Sequence, residues 1–154
     1  FTDFIFYLCK MKSNFSEDLI RKGLELPVMD SFYTIQGEGY HKGSAAFFIR
    51  FGGCDIGCHW CDVKESWDYE KHPVRSIDDL ILEAKEYSET AVITGGEPLI
   101  WNMGPLTDRL KKTSIRTHIE TSGAYSISGF WDWFCLSPKK IDYQQKKLTK
   151  MQMN

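Results

Sequence analysis

The segment A-A-F-F-I-R-F-G-G-C-D-I-G-C-H-W-C, residues 45–61, joins an apolar run to a loop that carries three cysteines. The run at 45–51 is rich in aromatic and aliphatic side chains, which predicts a buried strand. Gly52 and Gly53 end that strand and open the loop, because adjacent glycines favour a change of chain direction.

Further elements are predicted on both sides of this segment. Strands are expected at 28–35, 91–94, 116–120 and 133–136, and helices at 77–87 and 105–112. Ser76 is a suitable N-cap for the first helix, and Asp78 and Asp79 follow in its first turn, where the helix dipole favours acids. Strands that alternate with helices predict an α/β fold with a largely parallel sheet.

The length of 154 residues corresponds to a single domain. We divide the chain into an N-terminal lead-in at 1–26, a main domain at 27–140 and a polar tail at 141–154. The lead-in includes one or two predicted helical turns at 16–23, which end at a glycine. The lysine-rich tail is expected to be a frayed end.

The composition excludes several classes of protein. Hydrophobic residues make up 42% and charged residues 26%, which is ordinary for a globular domain. Nineteen basic and twenty-one acidic side chains leave no positive excess for nucleic-acid binding. No apolar run has the length of a membrane span, the N-terminus lacks the pattern of a signal peptide, and five cysteines are an odd number for a disulfide framework. We therefore expect a cytoplasmic protein without nucleic-acid or membrane partners.

Cys54, Cys58 and Cys61 place three soft ligands on one short loop. Such ligands suit an iron–sulfur cluster or a zinc ion. Three cysteines leave one iron of a 4Fe–4S cubane without a protein ligand, so that a small chelating molecule can bind there. Zinc would need a fourth ligand. The candidates for that ligand are His41, His59 and Cys135. From these residues alone, a cluster, a zinc site and incidental thiols all remain open.

Polar clusters follow the predicted strands at 36–39, 54–61, 94–97, 120–123 and 137–139. In parallel α/β folds the carboxyl ends of the strands carry the chemistry, so the five clusters predict a single site. One of them, T-G-G-E-P at 94–98, has adjacent glycines that allow the backbone to approach a ligand closely. The alternative for this segment is an ordinary strand-to-helix turn.

Together, the C-x₃-C-x₂-C loop and the later G-G-E turn resemble the radical S-adenosylmethionine (SAM) superfamily. The resemblance implies an incomplete TIM-type barrel in which the three cysteines hold a 4Fe–4S cluster. It also implies that SAM chelates the open iron and is split by one electron. The resulting 5′-deoxyadenosyl radical then removes a hydrogen atom from the substrate.

A closer resemblance, over about 27–140, is to the 7-carboxy-7-deazaguanine synthase family of queuosine biosynthesis. It rests on F-Y-T-I-Q-G-E-G-Y (32–40), F-I-R-F-G-G-C-D-I-G-C-H-W-C-D (48–62), V-I-T-G-G-E-P-L (92–99), H-I-E-T-S-G (118–123) and L-S-P-K (136–139). The implied lyase converts 6-carboxy-5,6,7,8-tetrahydropterin to 7-carboxy-7-deazaguanine and releases ammonia. A flavodoxin or ferredoxin reductant and a homodimer, with the aromatics at 130–134 as candidate contacts, are also implied.

The resemblance and the side-chain chemistry give two sets of candidate ligand residues, with no catalytic residue beyond the cluster and SAM. The predicted SAM contacts are Trp60, Gly95, Gly96, Glu97, Glu120, Ser122, Ser137, Pro138 and Lys139. The predicted substrate contacts are Ile35, Gln36, Gly37, Glu38, Arg50 and Thr94. Arg50 suits a bidentate grip on a carboxylate, and the Gln36 amide suits the donor and acceptor edge of a pterin. The alternatives are a surface charge for Arg50, a turn cap for Glu38 and a solvated tail lysine for Lys139.

Two departures from the family pattern stand out. The family implies Mg²⁺, commonly bound by a hydroxyl residue two positions after the third cysteine, but Val63 occupies that position and leaves the magnesium ligand unassigned. Family members also continue past the S-P-K segment, so a domain shortened at its C-terminus is expected. Two other functions remain as alternatives: a glycyl-radical enzyme activase of the same superfamily, and a non-enzymatic zinc-stabilised binding protein.

Overall fold

The computed structural model describes residues 17–139. Six strands and two longer helices form the domain. The strands are β1 (Glu25–Ile35), β2 (Ala45–Phe51), β3 (Val74–Ser76), β4 (Thr90–Gly95), β5 (Arg116–Thr121) and β6 (Trp133–Leu136), and the helices are α1 (Ile77–Tyr87) and α2 (Gly104–Lys112). Short 3₁₀ helices lie at Lys64–Trp67, Tyr69–Lys71 and Pro98–Ile100. The predicted tail at 141–154 lies outside the described residues.

The predicted bounds of β2, α1 and β6 are confirmed. Ser76 caps α1 as expected, because its hydroxyl accepts from the backbone N–H of Asp79 at 3.2 Å. Residues 17–22 are helical and end at Gly23, which has a φ of +72°. β1 begins at Glu25, within the predicted lead-in, and β3 was not predicted because three residues are too few to show a period of two.

The six strands form one sheet in the order β3-β1-β2-β4-β5-β6. β1 runs antiparallel to both of its neighbours, whereas β2, β4, β5 and β6 are parallel. Over residues 17–139, β3 and β6 stand at opposite edges and do not pair with each other, so the barrel is left open. The predicted α/β fold and incomplete barrel are confirmed. None of the helices in this part of the chain has the length and apolar character of a membrane span.

The two faces of the sheet are covered differently. One face packs on α1 and α2 and contributes the buried side chains of Phe47, Ile49, Phe51, Ala91 and Ile93. The other face carries a smaller apolar cluster of Ala46, Phe48 and Val92 with Phe32 against it. The loop at 36–44 folds over this second face, where its Tyr40 ring lies 5.3 Å from Trp133. In the same loop, the His41 ring lies 4.5 Å from His118.

The connection between β5 and β6 has no helix, unlike the alternation that the sequence suggested. Residues 122–132 instead pack irregularly against α2. The hydroxyl of Thr107 in α2 accepts from the backbone of Phe130 at 3.0 Å, and Asp132 accepts from the backbone of Thr117 at 2.7 Å. The connection therefore stays beside the sheet, and its first residues remain at the carboxyl end of β5. Phe130 and Phe134 are exposed, while Trp131 packs against the core.

Candidate functional site

A cavity of about 230 Å³ lies at the carboxyl ends of the parallel strands. It collects residues from all five of the polar clusters that the sequence places after strands. Its lining consists of Glu38, Cys54, Ile56, Cys58, Trp60, Cys61, Asp62, Ser66, Trp67, Thr94, Gly95, Gly96, Glu97, Glu120, Thr121, Ser122, Ser137 and Lys139. The five clusters therefore meet in one place, as their positions at strand ends predict.

The cysteine loop begins where β2 ends and is fixed at its start by the first 3₁₀ helix. The backbone N–H of Gly53 donates to Ser66 at 2.6 Å, and that of Cys54 donates to Trp67 at 3.2 Å. The three cysteines are half-buried and not in disulfides. Burial raises the pKa of the Cys54 thiol, while the backbone N–H of Ile56 acts against this rise. A bound cation would favour the thiolate, since coordination deprotonates a thiol.

The three thiols of the cysteine loop all line the cavity, as the ligands of one cluster would. Among residues 17–139, no three His, Cys, Asp or Glu side chains converge closely enough to bind one metal ion. In a cubane each cysteine binds a different iron, so its sulfurs stand further apart than the ligands of one zinc. The Cys135 sulfur instead lies beside Gly39, and His41 packs on His118. Neither is positioned as the fourth zinc ligand.

The turn that contains Gly95 and Gly96 packs directly on the start of the cysteine loop. Gly96 donates to the carbonyl of Phe51 at 3.0 Å, and Glu97 donates to that of Gly53 at 2.9 Å. A Cβ atom at Gly95 would lie 2.2 Å from the carbonyl oxygen of Phe51, and one at Gly96 would lie 2.2 Å from that of Gly53. The close approach of two backbones therefore requires both glycines.

The Glu97 carboxylate is 1% exposed and has partners at both oxygens. One oxygen accepts from the Thr121 hydroxyl at 2.7 Å and from the backbone of Leu99 at 3.2 Å. The other accepts from the backbone of Ser122 at 2.9 Å and from its hydroxyl. This side chain therefore joins the glycine turn to the end of β5. A SAM contact from this turn would fall to its backbone, because the carboxylate is already hydrogen-bonded within the chain.

Glu120 joins three strand ends in the same way. Its carboxylate accepts from the Gln36 amide at 2.9 Å and from the Thr94 hydroxyl at 2.8 Å. The side-chain oxygen Oε1 of Gln36 accepts in turn from the backbone N–H of Glu38 at 2.8 Å. Gln36 is 5% exposed and hydrogen-bonded at both ends of its amide. These bonds hold the loop at 36–44, and a contact between the Gln36 amide and the pterin edge stays a prediction.

Two predicted substrate residues carry charges that the described residues do not neutralise. Arg50 lies beside Thr94 in the parallel pairing of β2 and β4, and its guanidinium carbon lies 5.5 Å from the centre of the Phe32 ring. Within residues 17–139, Arg50 and Glu38 form no ion pair, and neither of their charged groups forms a hydrogen bond. Glu38 lines the cavity, whereas Arg50 does not line it but lies beside Thr94, which does.

Of the remaining candidates, Trp60, Ser137 and Lys139 line the cavity, whereas Ile35, Gly37 and Pro138 do not. Trp60 is 55% exposed and stands edge-on to His59, while Lys139 donates to the Ser137 hydroxyl at 2.6 Å. Ile35 is 64% exposed, which leaves its backbone as the part able to recognise a ligand. Pro138 is also exposed, and Gly37 has open space around it.

Tyr125 and Asp55 form a contact beside the cysteines that the sequence does not predict. The Tyr125 hydroxyl donates to the Asp55 carboxylate within the cysteine loop. Burial and Asp55 raise the pKa of Tyr125 to about 12, so the hydroxyl keeps its proton. Seventy positions separate the two residues, and no local pattern in the sequence connects them.

Comparison with known proteins identifies the family of the chain. The sequence model of the radical SAM superfamily matches residues 48–130 of the chain. The 7-carboxy-7-deazaguanine synthase of Flavobacterium psychrophilum is 62% identical over 121 residues, which cover 79% of this chain and 58% of that protein. The synthase of Synechocystis is 47% identical over 120 residues, which cover 77% of this chain and 58% of that protein. The chain thus spans under three fifths of the length of these curated relatives.

A solved structure agrees with these matches. The crystal structure of QueE from Escherichia coli superimposes with a TM-score of 0.70 at 32% identity, covering 83% of this chain and 69% of that one. The resemblance noted from the sequence is confirmed. The chain belongs to the radical SAM superfamily.

Proposed function

We propose that this chain carries the activity of a 7-carboxy-7-deazaguanine synthase. The reaction would convert 6-carboxy-5,6,7,8-tetrahydropterin to 7-carboxy-7-deazaguanine with release of ammonia, in queuosine biosynthesis. The observation that carries this proposal is the hydrogen-bonded set of Gln36, Glu120 and Thr94. It holds the Q-G-E-G segment, which distinguishes this family, against the cavity that contains the cysteines. The names of the relatives favour this reaction over a glycyl-radical activase and over a zinc-stabilised binding protein.

Membership of the superfamily implies a 4Fe–4S cluster and SAM. Cys54, Cys58 and Cys61 would hold the cluster. Together the two groups supply a reductive bond cleavage that starts hydrogen-atom abstraction from the substrate. The backbone of the turn at 95–97, with Ser137 and Lys139 across the cavity, would orient SAM. Ile56, Trp60 and Trp67 add apolar surface to the cavity, which helps to exclude water from a reactive site.

Arg50 and Glu38 are the residues that would recognise the pterin. The Arg50 guanidinium has the planar, two-donor geometry that matches a carboxylate, and it lies within cation–π range of the Phe32 ring, at 5.5 Å from the ring centre. The Glu38 carboxylate would accept from the amino and N–H donors of the ring system. Thr94 would act mainly through Glu120, because its hydroxyl donates to that carboxylate.

Magnesium remains an expectation from the family. The Val63 side chain has no oxygen to offer, and the nearby Ser66 hydroxyl donates to the Val63 carbonyl at 2.6 Å. Asp62 lines the cavity, and its carboxylate is the kind of ligand that Mg²⁺ prefers. We assign Asp62 as the residue to test for a magnesium contact. A cytoplasmic location, a flavodoxin or ferredoxin reductant and a homodimer complete the proposal.

The deciding experiment is anaerobic reconstitution with iron and sulfide, followed by incubation with SAM, dithionite and the carboxypterin. We expect a brown protein and a 7-carboxy-7-deazaguanine product detected by mass spectrometry. A cluster-loaded chain that cleaves SAM but makes no deazaguanine would contradict the proposed substrate. A colourless chain that retains zinc in place of iron would contradict the proposed chemistry as a whole.

A further inference from the structure

We propose that Tyr125 is a positioning residue for the iron–sulfur cluster, because its hydroxyl ties the cysteine loop to the segment that follows β5. The proposal rests on the proposed function only in requiring that this loop hold a cluster. The contact joins the Tyr125 hydroxyl to the carboxylate of Asp55, the residue directly after Cys54. Tyr125, which follows β5, is half-buried, whereas Asp55 in the cysteine loop is exposed. Tyr125 is therefore the better-packed partner in this contact.

The same segment already holds the other two parts of the site. Glu120 binds Gln36 and Thr94, while Thr121 and Ser122 bind the carboxylate of Glu97. Tyr125 extends this set of contacts to the cysteine loop. Residues 120–125 therefore act as a common support for the Q-G-E-G loop, the glycine turn and the cysteines.

The Tyr125 contact reaches the cysteine loop between its first two ligands. Its start is held by the bond from Cys54 to the Trp67 carbonyl, and its end by the bond from Cys61 to the Cys58 carbonyl. The intervening backbone includes Gly57, which adopts a φ of +68°. The Tyr125 contact reaches this stretch from a different part of the fold and limits how far it can move away from the cavity.

The contact also places a proton donor on a negative charge near the cluster ligands. Asp55 directly follows the ligand Cys54 in the chain, so its carboxylate brings a negative charge close to the cluster site. A hydroxyl that donates to this carboxylate reduces the negative charge felt at the sulfur. Charges and hydrogen bonds around the thiolates tune the potential of an iron–sulfur cluster. Tyr125 would therefore influence both the retention and the potential of the cluster.

The first test is Tyr125→Phe in the reconstituted chain. We expect it to release iron to a chelator roughly threefold faster than the wild type, since one hydrogen bond to the loop is lost. The midpoint potential should become more negative, because the Asp55 charge loses its donor. Tyr69→Phe is the matched control. Tyr69 lies edge-on to Trp101, and its hydroxyl makes no hydrogen bond among the described residues.

The second test is Asp55→Asn, which removes the negative charge of Asp55 but keeps an acceptor for the Tyr125 hydrogen bond. The asparagine carbonyl can still accept from Tyr125, so iron release should stay close to the wild-type rate. The midpoint potential should become more positive, because a negative charge is removed. We therefore expect the midpoint potential to shift in opposite directions in the two variants. Only Tyr125→Phe should release iron faster than the wild type.

Wild-type iron release and an unchanged potential in Tyr125→Phe would overturn the inference, whatever Asp55→Asn does. In that case the wild-type chain would still hold its cluster, and the proposed function would stand. Absence of a 4Fe–4S cluster from the reconstituted wild type would instead contradict the proposed function, and the inference with it. Iron and sulfide content, measured before any activity, distinguishes these two failures.

Discussion

The helix-covered face of the sheet and the carboxyl ends of its strands are built from the same strands but by different means. Ile93 and Thr94 are neighbours in β4, yet Ile93 is buried against the helices and Thr94 lines the cavity. The helix face is apolar, and its stability depends on the area removed from water. The strand ends are polar, and their order depends on hydrogen bonds between side chains distant in sequence. Substitutions in the two regions should therefore have separable effects.

Cys58→Ala should give the largest effect, a complete loss of the cluster and of SAM cleavage. Cys58 lies in the loop and is not part of either apolar cluster, so the unfolding midpoint of the metal-free chain should hardly change. Iron content, SAM cleavage and a denaturant titration of the apo chain measure the two quantities. Normal SAM cleavage in this variant would refute the cluster assignment.

Arg50→Ala should lower kcat/KM for the pterin by roughly two orders of magnitude, as expected when a charged hydrogen-bonding partner is lost. SAM cleavage without substrate turnover should persist, because Arg50 lies outside the cysteine loop. Arg50→Lys keeps the positive charge but loses the planar pair of donors. Its kcat/KM for the pterin should lie between those of the wild type and Arg50→Ala. Unchanged pterin turnover in the alanine variant would remove Arg50 from the substrate site.

Ile93→Ala should destabilise the fold by about 3 kcal/mol, because it leaves a cavity in the helix-side core. Its neighbour Thr94→Val keeps the shape but loses the bond to Glu120, so about 1 kcal/mol is expected. Activity should show the reverse order, with the greater loss in Thr94→Val under conditions where both variants are folded. Urea titrations and pterin turnover provide the measurements. Equal stability losses would mean that the two regions are not separable in this way.

The smallest effect concerns His118, whose pKa is lowered by burial and by the nearby charges of His41 and Arg116, with Asp132 acting against them. Below the ordinary value of 6.5, the unfolded chain takes up a proton that the folded chain resists. Stability should therefore fall as the pH drops through that value and level off below the lowered pKa. His118→Asn should flatten this dependence in urea titrations on either side of that pH. If the stability of the wild type and of His118→Asn depended on pH in the same way, His118 would be excluded as the cause.

Much of the fold could be predicted because its signals are local. The apolar run of β2, the capped helix α1 and the glycine pairs next to the cysteines are each contained in a short window of sequence. The shared location of the polar clusters also followed from one rule about strand ends. β3 was not predicted because it is short. The irregular β5–β6 connection was not predicted because its hydrogen-bonding partners lie in α2.

The roles of individual polar side chains were harder to predict. Gln36 and Glu97 were expected to contact ligands, and the structure shows both engaged within the chain. An amide or carboxylate has the same chemistry whether its partner is a cofactor or another strand end. Only the tertiary structure shows that Gln36 reaches Glu120 and that Glu97 reaches Thr121, residues far along the chain. Their contacts with ligands stay predictions.

By itself, the sequence determined the α/β pattern, the three thiols and the glycines that mark the family, because backbone preference and ligand chemistry are properties of short segments. The tertiary structure decided which polar groups face the cavity and which support it. Residues 120–125 became the common support because the sheet brings the end of β5 beside three loops that the chain order keeps apart. Proximity of that kind arises only when the strands pair.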